Sequence, residues 1–347
     1  MNKERVFIIA EAGSNWKAGS RARDLARAKA LIDAAAAAGA DAVKFQTFRA
    51  DTVYVPNAGT SDYLSRNGIR RSITEIFREM SMPYGMIPQL ASHCRKRKIE
   101  FMSSFFSPHD FEAVNPCVRL HKIASYEITH PGLIILAARS GKPLILSTGA
   151  ASYEDIDWAV ALFRKNRGQS ISLMQCTAKY PAPLESLHLR VIPELAGRYR
   201  VPVGLSDHSR DPVVAPVAAA ALGARLIEKH FTLDNRFAGP DHAFAVTPRV
   251  LAELVRAVRA CESALGAAQK RVLPEEAELH GYAQRALQAA RDIQKGEGLA
   301  LGKNMAILRP GKQKKGVHPK LLGLIEGKKA KHFIAVGRGI RLSDVLT

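Results

Sequence analysis

Between residues 6 and 266 one pattern recurs: a short, mostly apolar segment, then a stretch with helical periodicity. The apolar segments are VFIIAE (6–11), DAVKFQ (41–46), IEFMSSF (99–105), RLHKIAS (119–125), PLILSTG (143–149), SISLMQC (170–176), VPVGLS (201–206) and RLIEKHF (225–231). Helix-like stretches fall at 21–40, where Gly39 supplies a stop, and at 86–98, 132–141, 155–166, 189–199, 212–224 and 248–266. Eight buried strands alternating with helices over roughly 265 residues predict a closed (β/α)₈ TIM barrel. An open doubly wound sheet fits less well, because no GxGxxG follows the first strand and polar residues recur at nearly every strand end rather than at one switch point.

After about residue 275 the character changes. Short β-type segments alternate with the turns KGEG (295–298) and GRG (337–339), which predicts a compact β-rich module outside the barrel. The expected organisation is a barrel over 1–270, a linker over 271–283 and the small module over 284–347.

Composition narrows the function class. With 47% hydrophobic residues among 347, the chain can bury one large core and a small second one. Its net charge of +19 is concentrated in RKRK (95–98), KQKK (312–315) and GKKAKH (327–332), without aromatic interleaving or a nucleic-acid-binding signature. These runs read as a solvated basic face, so no specific nucleic acid is expected as a partner. No run of 18 uncharged apolar residues occurs, and Met1 to Arg5 leads directly into a strand too short for a secretory signal; a cytoplasmic protein without a membrane partner is expected. Cys94, Cys117, Cys176 and Cys261 are scattered, with no CxxC pair, and read as reduced thiols.

Barrel enzymes build their sites at the C-terminal ends of the strands. Here those ends carry Glu11, Lys44 with Gln46, Ser103 and Ser104, Lys122 with Ser125, Ser147 and Thr148, Thr177 with Tyr180, Ser206 to His208, and His230. A single terminal serine is a helix cap, but Lys44, Lys122, Ser104, Ser125 and Ser147 would converge on one mouth, and ammonium and hydroxyl donors together suit a phosphate. His208 and His230 end neighbouring strands, so both imidazoles can face one divalent ion that leaves positions open for water and substrate. Glu11, on the strand beside, is placed as a ligand or a general base.

At this point whole segments match a family. IIAEAGSN (8–15), GADAVKFQTF (39–48), FMSSFFS (101–107), HKIASYE (121–127), GKPLILSTG (141–149), QCTAKYPAP (175–183), GLSDHS (204–209), EKHF (228–231) and GPDHAFA (239–245) make the barrel resemble the N-acetylneuraminate (sialic acid) synthases. ARDIQKGE (290–297) and LRPG (308–311) make the tail resemble their antifreeze-like (SAF, β-clip) domain. The resemblance implies a transferase that condenses phosphoenolpyruvate with an open-chain N-acylated hexosamine, releasing phosphate by C–O cleavage and giving a nonulosonic acid. It implies Lys44, Ser104, Lys122, Ser125, Ser147 and Ser206 as phosphoenolpyruvate ligands. It makes His208 and His230 ligands of a divalent metal, Mn²⁺ preferred with Mg²⁺ or Co²⁺ as alternatives, with Glu11 and His230 catalytic. Gln46, Glu127, Tyr180 and Asp241 would contact the sugar, and Arg309 would reach the acylamino group in the partner's barrel of a domain-swapped homodimer.

The sequence departs from the family pattern in two places. Asn15, Trp16, Lys17 and Ala18 stand where NHNG is common, and Ala178 stands where an asparagine often follows the CT of the sixth strand. Either N-acetylmannosamine or a 2,4-diacetamido-dideoxyhexose therefore remains as acceptor. Three other readings fit parts of the pattern: Schiff-base chemistry at Lys44 or Lys122, a 3-deoxy-ulosonate-type synthase with another aldose, and a non-catalytic carbohydrate-binding barrel. The paired histidines argue against the first, because an imine needs no metal. The intact set Glu11, Lys44, Lys122, His208 and His230 argues against the last.

Overall fold

The computed structural model describes residues 5–60 and 71–346. Eight parallel strands close into a barrel in sequence order. They are β1 (Phe7–Gly13), β2 (Ala42–Thr47), β3 (Glu100–Phe105), β4 (His121–Ile123), β5 (Leu144–Ser147), β6 (Ile171–Cys176), β7 (Val203–Asp207) and β8 (Leu226–His230). Closure comes from β8 pairing with β1, from Phe7 opposite Leu226 to Glu11 opposite His230.

Side chains alternate across each strand, and that period builds the site. Ile9, Ala42, Met102, Ile145, Met174 and Leu226 form one buried apolar plug inside the barrel. Two residues further along the same strands stand Glu11, Lys44, Ser104, Ser147, Cys176 and Glu228, so a polar layer rests on an apolar floor. The opposite parity faces outward: Ile8, Ala10, Val43, Leu146 and Leu173 pack in the two large clusters shared with the helices. Gly204 is required in β7, because a Cβ there would meet the Leu226 carbonyl oxygen at 2.5 Å.

Helix starts follow the sequence signals. Ser20, Ser107 and Ser152 cap the helices Arg21–Ala37, Pro108–Val114 and Tyr153–Lys165, each accepting a backbone N–H. The first helix ends earlier than the expected residue 40, since Gly39 adopts a left-handed φ of 86°. The fourth strand is shorter than the expected 119–125, running only over His121–Ile123, and Ser125 opens a 3₁₀ turn to Glu127. Two short helices outside the predicted alternation, Ala50–Val53 and Ile73–Met80, follow β2.

The chain divides into two compact units, one ending at Gly266 and one beginning at Ala267. Within the second, the expected linker carries a short helix, Ala277–Ala283. The module has two antiparallel strands, β9 (Ala286–Ala289) and β10 (Met305–Leu308), around a core of Leu287, Ile293, Leu299, Met305, Ile325, Ile334 and Ile340. The remaining β-type segments meet only as isolated bridges, such as Gln288 with Gly339 and Ile293 with Ile334. Backbones cross there without space for side chains: a Cβ on Gly316 would lie 1.9 Å from the Leu287 carbonyl oxygen. Among the described residues no helix is long and apolar enough to cross a membrane.

Candidate active site

The polar layer is one connected array. Lys44 Nζ lies 2.6 Å from Glu11 Oε2, 3.6 Å from Glu228 Oε1 and 3.4 Å from Ser104 Oγ. Lys122 Nζ donates to Ser147 Oγ at 2.7 Å and sits 3.8 Å from Glu228 Oε2. Ser206 donates to Glu228 Oε1 at 3.2 Å, and Gln46 Nε2 to Glu11 Oε1 at 2.8 Å. All of these groups except Gln46 are buried, so charges that are screened at a surface interact strongly here.

Burial and neighbours then set the protonation states. Burial pushes the Glu11 carboxyl up to about 7, against the opposing pull of Lys44. Burial also favours a neutral Lys122, which the carboxylate of Glu228 partly offsets. For Lys44 the balance reverses: burial is outweighed by Glu11 and Glu228, and the ammonium is held above its usual range. Glu228 stays below the usual carboxylate range, because Lys122 and Lys44 outweigh its burial.

On the opposite side of the mouth the imidazoles of His208 and His230 lie with ring centroids 5.3 Å apart. His208 Nδ1–H donates to the Thr177 carbonyl at 2.8 Å, so Nε2 is the nitrogen open to a ligand; burial is outweighed by Cys176 and by this hydrogen bond, which hold the imidazole above its usual pKa. His230 is held neutral, its basicity lowered by burial and then by His208 and Lys44, and its Nδ1 is buried without a hydrogen-bond partner. Tyr180 lies over His208 at 4.0 Å between centroids, and Phe244 flanks His230 at 5.1 Å.

The structure gathers most of the sequence-expected residues. Ser125 accepts from the N–H of Gly149 at 3.0 Å, and a Cβ on Gly149 would lie 2.8 Å from Cys176 Sγ, so the chain passes close above β6 only because residue 149 is glycine. Asp241 comes within 3.9 Å of His230 Nδ1, and burial pushes its carboxyl up to about 6 despite His208 and hydrogen bonds from Ser14. Position 13 must be glycine for this approach: its φ is 51°, and a Cβ would sit 2.9 Å from Asp241 Oδ2. Glu127 sits at the rim, beside a cleft of about 370 Å³ lined also by Thr52, Phe106, Tyr126 and His130; burial pushes its carboxyl up to about 7. Another cleft, of about 400 Å³, lies among Tyr153, His188, Arg190 and Glu194 and carries none of the strand-end groups.

Two expected positions stand apart. Arg309 is an exposed residue of the second unit, directly after β10. Trp16 does not line the mouth: it is fully buried in the cluster formed with Ala28, Leu31 and Ile32 of the first helix.

Sequence reasoning assigned no role to Glu228, which joins both lysines, or to Cys176, whose Sγ lies 3.9 Å from His208 Nδ1. The signal was present in both cases. Glu228 precedes His230 by two residues and Cys176 follows Met174 by two, so alternation turns each toward the lumen.

Residues 31–270 match the NeuB family and residues 284–346 the SAF domain. The chain is 40% identical to the spore coat polysaccharide biosynthesis protein SpsE of Bacillus subtilis, over 98% of this chain and 94% of that one. It is 36% identical to a pseudaminic acid synthase of Campylobacter jejuni, over 98% of this chain and 97% of that one. The crystal structure of the N-acetylneuraminic acid (sialic acid) synthetase of Leptospira borgpetersenii, in complex with citrate, matches with a TM-score of 0.69 at 31% identity, covering 80% of this chain and 90% of that one.

Proposed function

The chain belongs to the NeuB family, with a SAF domain after its barrel, and on that premise we propose that it condenses phosphoenolpyruvate with an N-acylated hexosamine to give a nonulosonic acid and phosphate. The observation that carries this reading is the pair of buried lysines, Lys44 and Lys122, set among Ser104, Ser147 and Ser206 in a mouth that also holds two buried imidazoles.

A phosphate with a carboxylate beside it needs fixed cations and hydroxyl donors in a site that excludes water. Lys44, Lys122, Ser104, Ser125, Ser147 and Ser206 would supply them, the lysines exchanging part of their contact with Glu11 and Glu228 for the ligand. In the reaction the methylene carbon of the enol bonds to the sugar aldehyde carbon, water adds at C2, and the C2–O bond to phosphate breaks. Glu11, with its carboxyl pushed up to about 7, is suited to take the proton from that water near neutral pH. Gln46, Glu127, Tyr180 and Asp241 would orient the sugar hydroxyls, and Arg309 of a second copy would meet the acylamino group in a domain-swapped homodimer.

The imidazoles fit a divalent ion. His208 presents a free Nε2 and His230 is neutral with an unpartnered buried nitrogen. Among the described residues no three His, Cys, Asp or Glu side chains are grouped so as to hold a metal, so an ion on the two imidazoles would complete its shell with water and substrate oxygens. Held by His208 and His230, Mn²⁺, or Mg²⁺ or Co²⁺ in its place, would supply Lewis-acid polarisation of the aldehyde.

We rank a 2,4-diacetamido-dideoxyhexose first among the acceptors and N-acetylmannosamine second, a ranking supported by relatives named as pseudaminic and legionaminic acid synthases. The test is phosphate release from phosphoenolpyruvate with Mn²⁺, each sugar offered separately, with a chelated control. Release with one sugar, abolished by chelation, supports the reading and names the acceptor. Release with none, or release unaffected by chelation, overturns the acceptor or the metal respectively.

A further inference from the structure

His208 and His230 each follow one member of a buried ion pair. Asp207 on β7 and Lys229 on β8 are register partners, and Lys229 Nζ lies 2.6 Å from Asp207 Oδ2 with both side chains almost wholly inaccessible. Alternation turns these two to the outer side of the barrel wall, away from Ser206 and Glu228, which meet in the lumen. The same ammonium donates to the carbonyl of Ser209 and, at 3.1 Å, to that of Asp211. Asp207 Oδ1 accepts the Ser209 N–H at 2.8 Å, and the Asp211 carboxylate accepts the N–H groups of Val213 and Val214 at 2.8 and 2.7 Å. Lys229 is therefore the hub of the turn over 207–214 in which His208 lies.

An ion pair buried this deeply is a poor device for stability alone, because a well-packed apolar pair of similar volume serves as well or better. An apolar pair could not hold several backbone points of one turn in a fixed direction. We propose that Asp207 and Lys229 form a positioning clamp for the two imidazoles: the pair ties β7 to β8 one residue before each histidine and fixes the turn from which His208 projects, setting the 5.3 Å ring separation. This rests on the reading of His208 and His230 as ligands of the ion. Neither clamp residue touches ion or substrate; both act through the histidines.

The test uses the full chain and two titrations, MnCl₂ into metal-free protein and phosphoenolpyruvate into chelated protein. Lys229→Met is expected to weaken Mn²⁺ binding by about 10- to 100-fold, as loss of outer-shell partners does, while phosphoenolpyruvate affinity stays at the wild-type value. If that variant does not fold by circular dichroism, Asp207→Asn, which keeps an acceptor for the Ser209 N–H, carries the same expectation with a smaller shift. Unchanged Mn²⁺ affinity in a folded variant overturns the clamp and leaves the ligand assignment standing. Equal loss of both affinities makes the pair a general structural element and overturns the clamp as well. Wild-type protein that binds no Mn²⁺ fails the ligand assignment itself, and the clamp with it.

Discussion

The two sides of the barrel mouth are built differently. On the side of β2 to β5 the functional groups sit within the strands, one layer above the apolar plug, and every charge already has an opposite neighbour. On the side of β6 to β8 the in-strand groups Ser206, Glu228 and His230 are joined by groups from the loops beyond: Tyr180, His208 and Asp241 all follow the last ladder residue. The lysine side is thus a preorganised, charge-balanced cradle, while the imidazole side depends on turns that other residues must hold. Binding of an anion and activation of an aldehyde are therefore separable by mutation.

The sharpest way to break this contrast is at the histidines. His208→Ala or His230→Ala is expected to lower turnover by about 10³-fold or more, the size of a lost Lewis acid, while phosphoenolpyruvate still binds by calorimetry. Comparable loss of both would mean that the two sides act as one unit. Glu11→Gln comes next, with kcat falling by about 10²- to 10⁴-fold. A general base works in its ionised form, and Glu11 ionises near pH 7, so wild-type rate should rise with pH through about 7 and the variant should lose that rise. Loss of phosphoenolpyruvate affinity in the same proportion as kcat would make Glu11 a binding residue.

A third change probes the charge balance itself. Lys122→Met leaves Glu228 with one buried cation fewer, and chemical denaturation should show a loss of about 3–5 kcal/mol. Adding Glu228→Gln to that variant should recover much of the loss; no recovery would show that the lysine acts through packing rather than charge.

The smallest effect concerns a third buried imidazole. His121 shares β4 with Lys122 but faces outward, between the rings of Phe105 and Phe111 at 5.4 and 5.1 Å, with neither nitrogen hydrogen-bonded. Burial, then the charge of Lys142, lowers its pKa from 6.5 to about 4. An unfolded chain binds that proton first, so stability is full above pH 6.5 and is lost as pH falls toward about 4, by about 3 kcal/mol in all. His121→Phe should flatten this part of the pH–stability curve, and an unchanged curve would assign the acid loss to other groups. The comparison with His208 is direct: an imidazole in the wall has no partner to gain, whereas one at the mouth has a ligand position free.

The barrel itself was legible because its strands are short, apolar and eight in number, and because parallel strands buried on both faces leave a continuous apolar signature. Lys44, Ser104, Lys122 and Ser147 were legible for the same reason, since polar residues that interrupt such strands have few other places to go. Glu228 shows the limit: its position in β8 carried the same period-2 signal, but only the register against β7 puts it between Lys44 and Lys122. Trp16 shows the converse, a departure from the family pattern that reads as a change of site and proves to be a core residue against the first helix. In the tail, alternating β-type segments predicted a compact β-rich module, and the structure adds how it is built: close backbone crossings at Gly316 and Gly339 accompany two short strands and isolated bridges.

By itself, then, the sequence determined the number of strands, the parity of each side chain and hence the set of groups facing the lumen, because those follow from local periodicity. The tertiary structure decided which of those groups touch: the Lys44–Glu11 contact, the separation of the two imidazoles, the approach of Asp241 past Gly13 and the Lys229 hub beneath His208. These depend on barrel closure and on the direction of loops, both set by contacts between residues far apart in the chain, which no local pattern encodes.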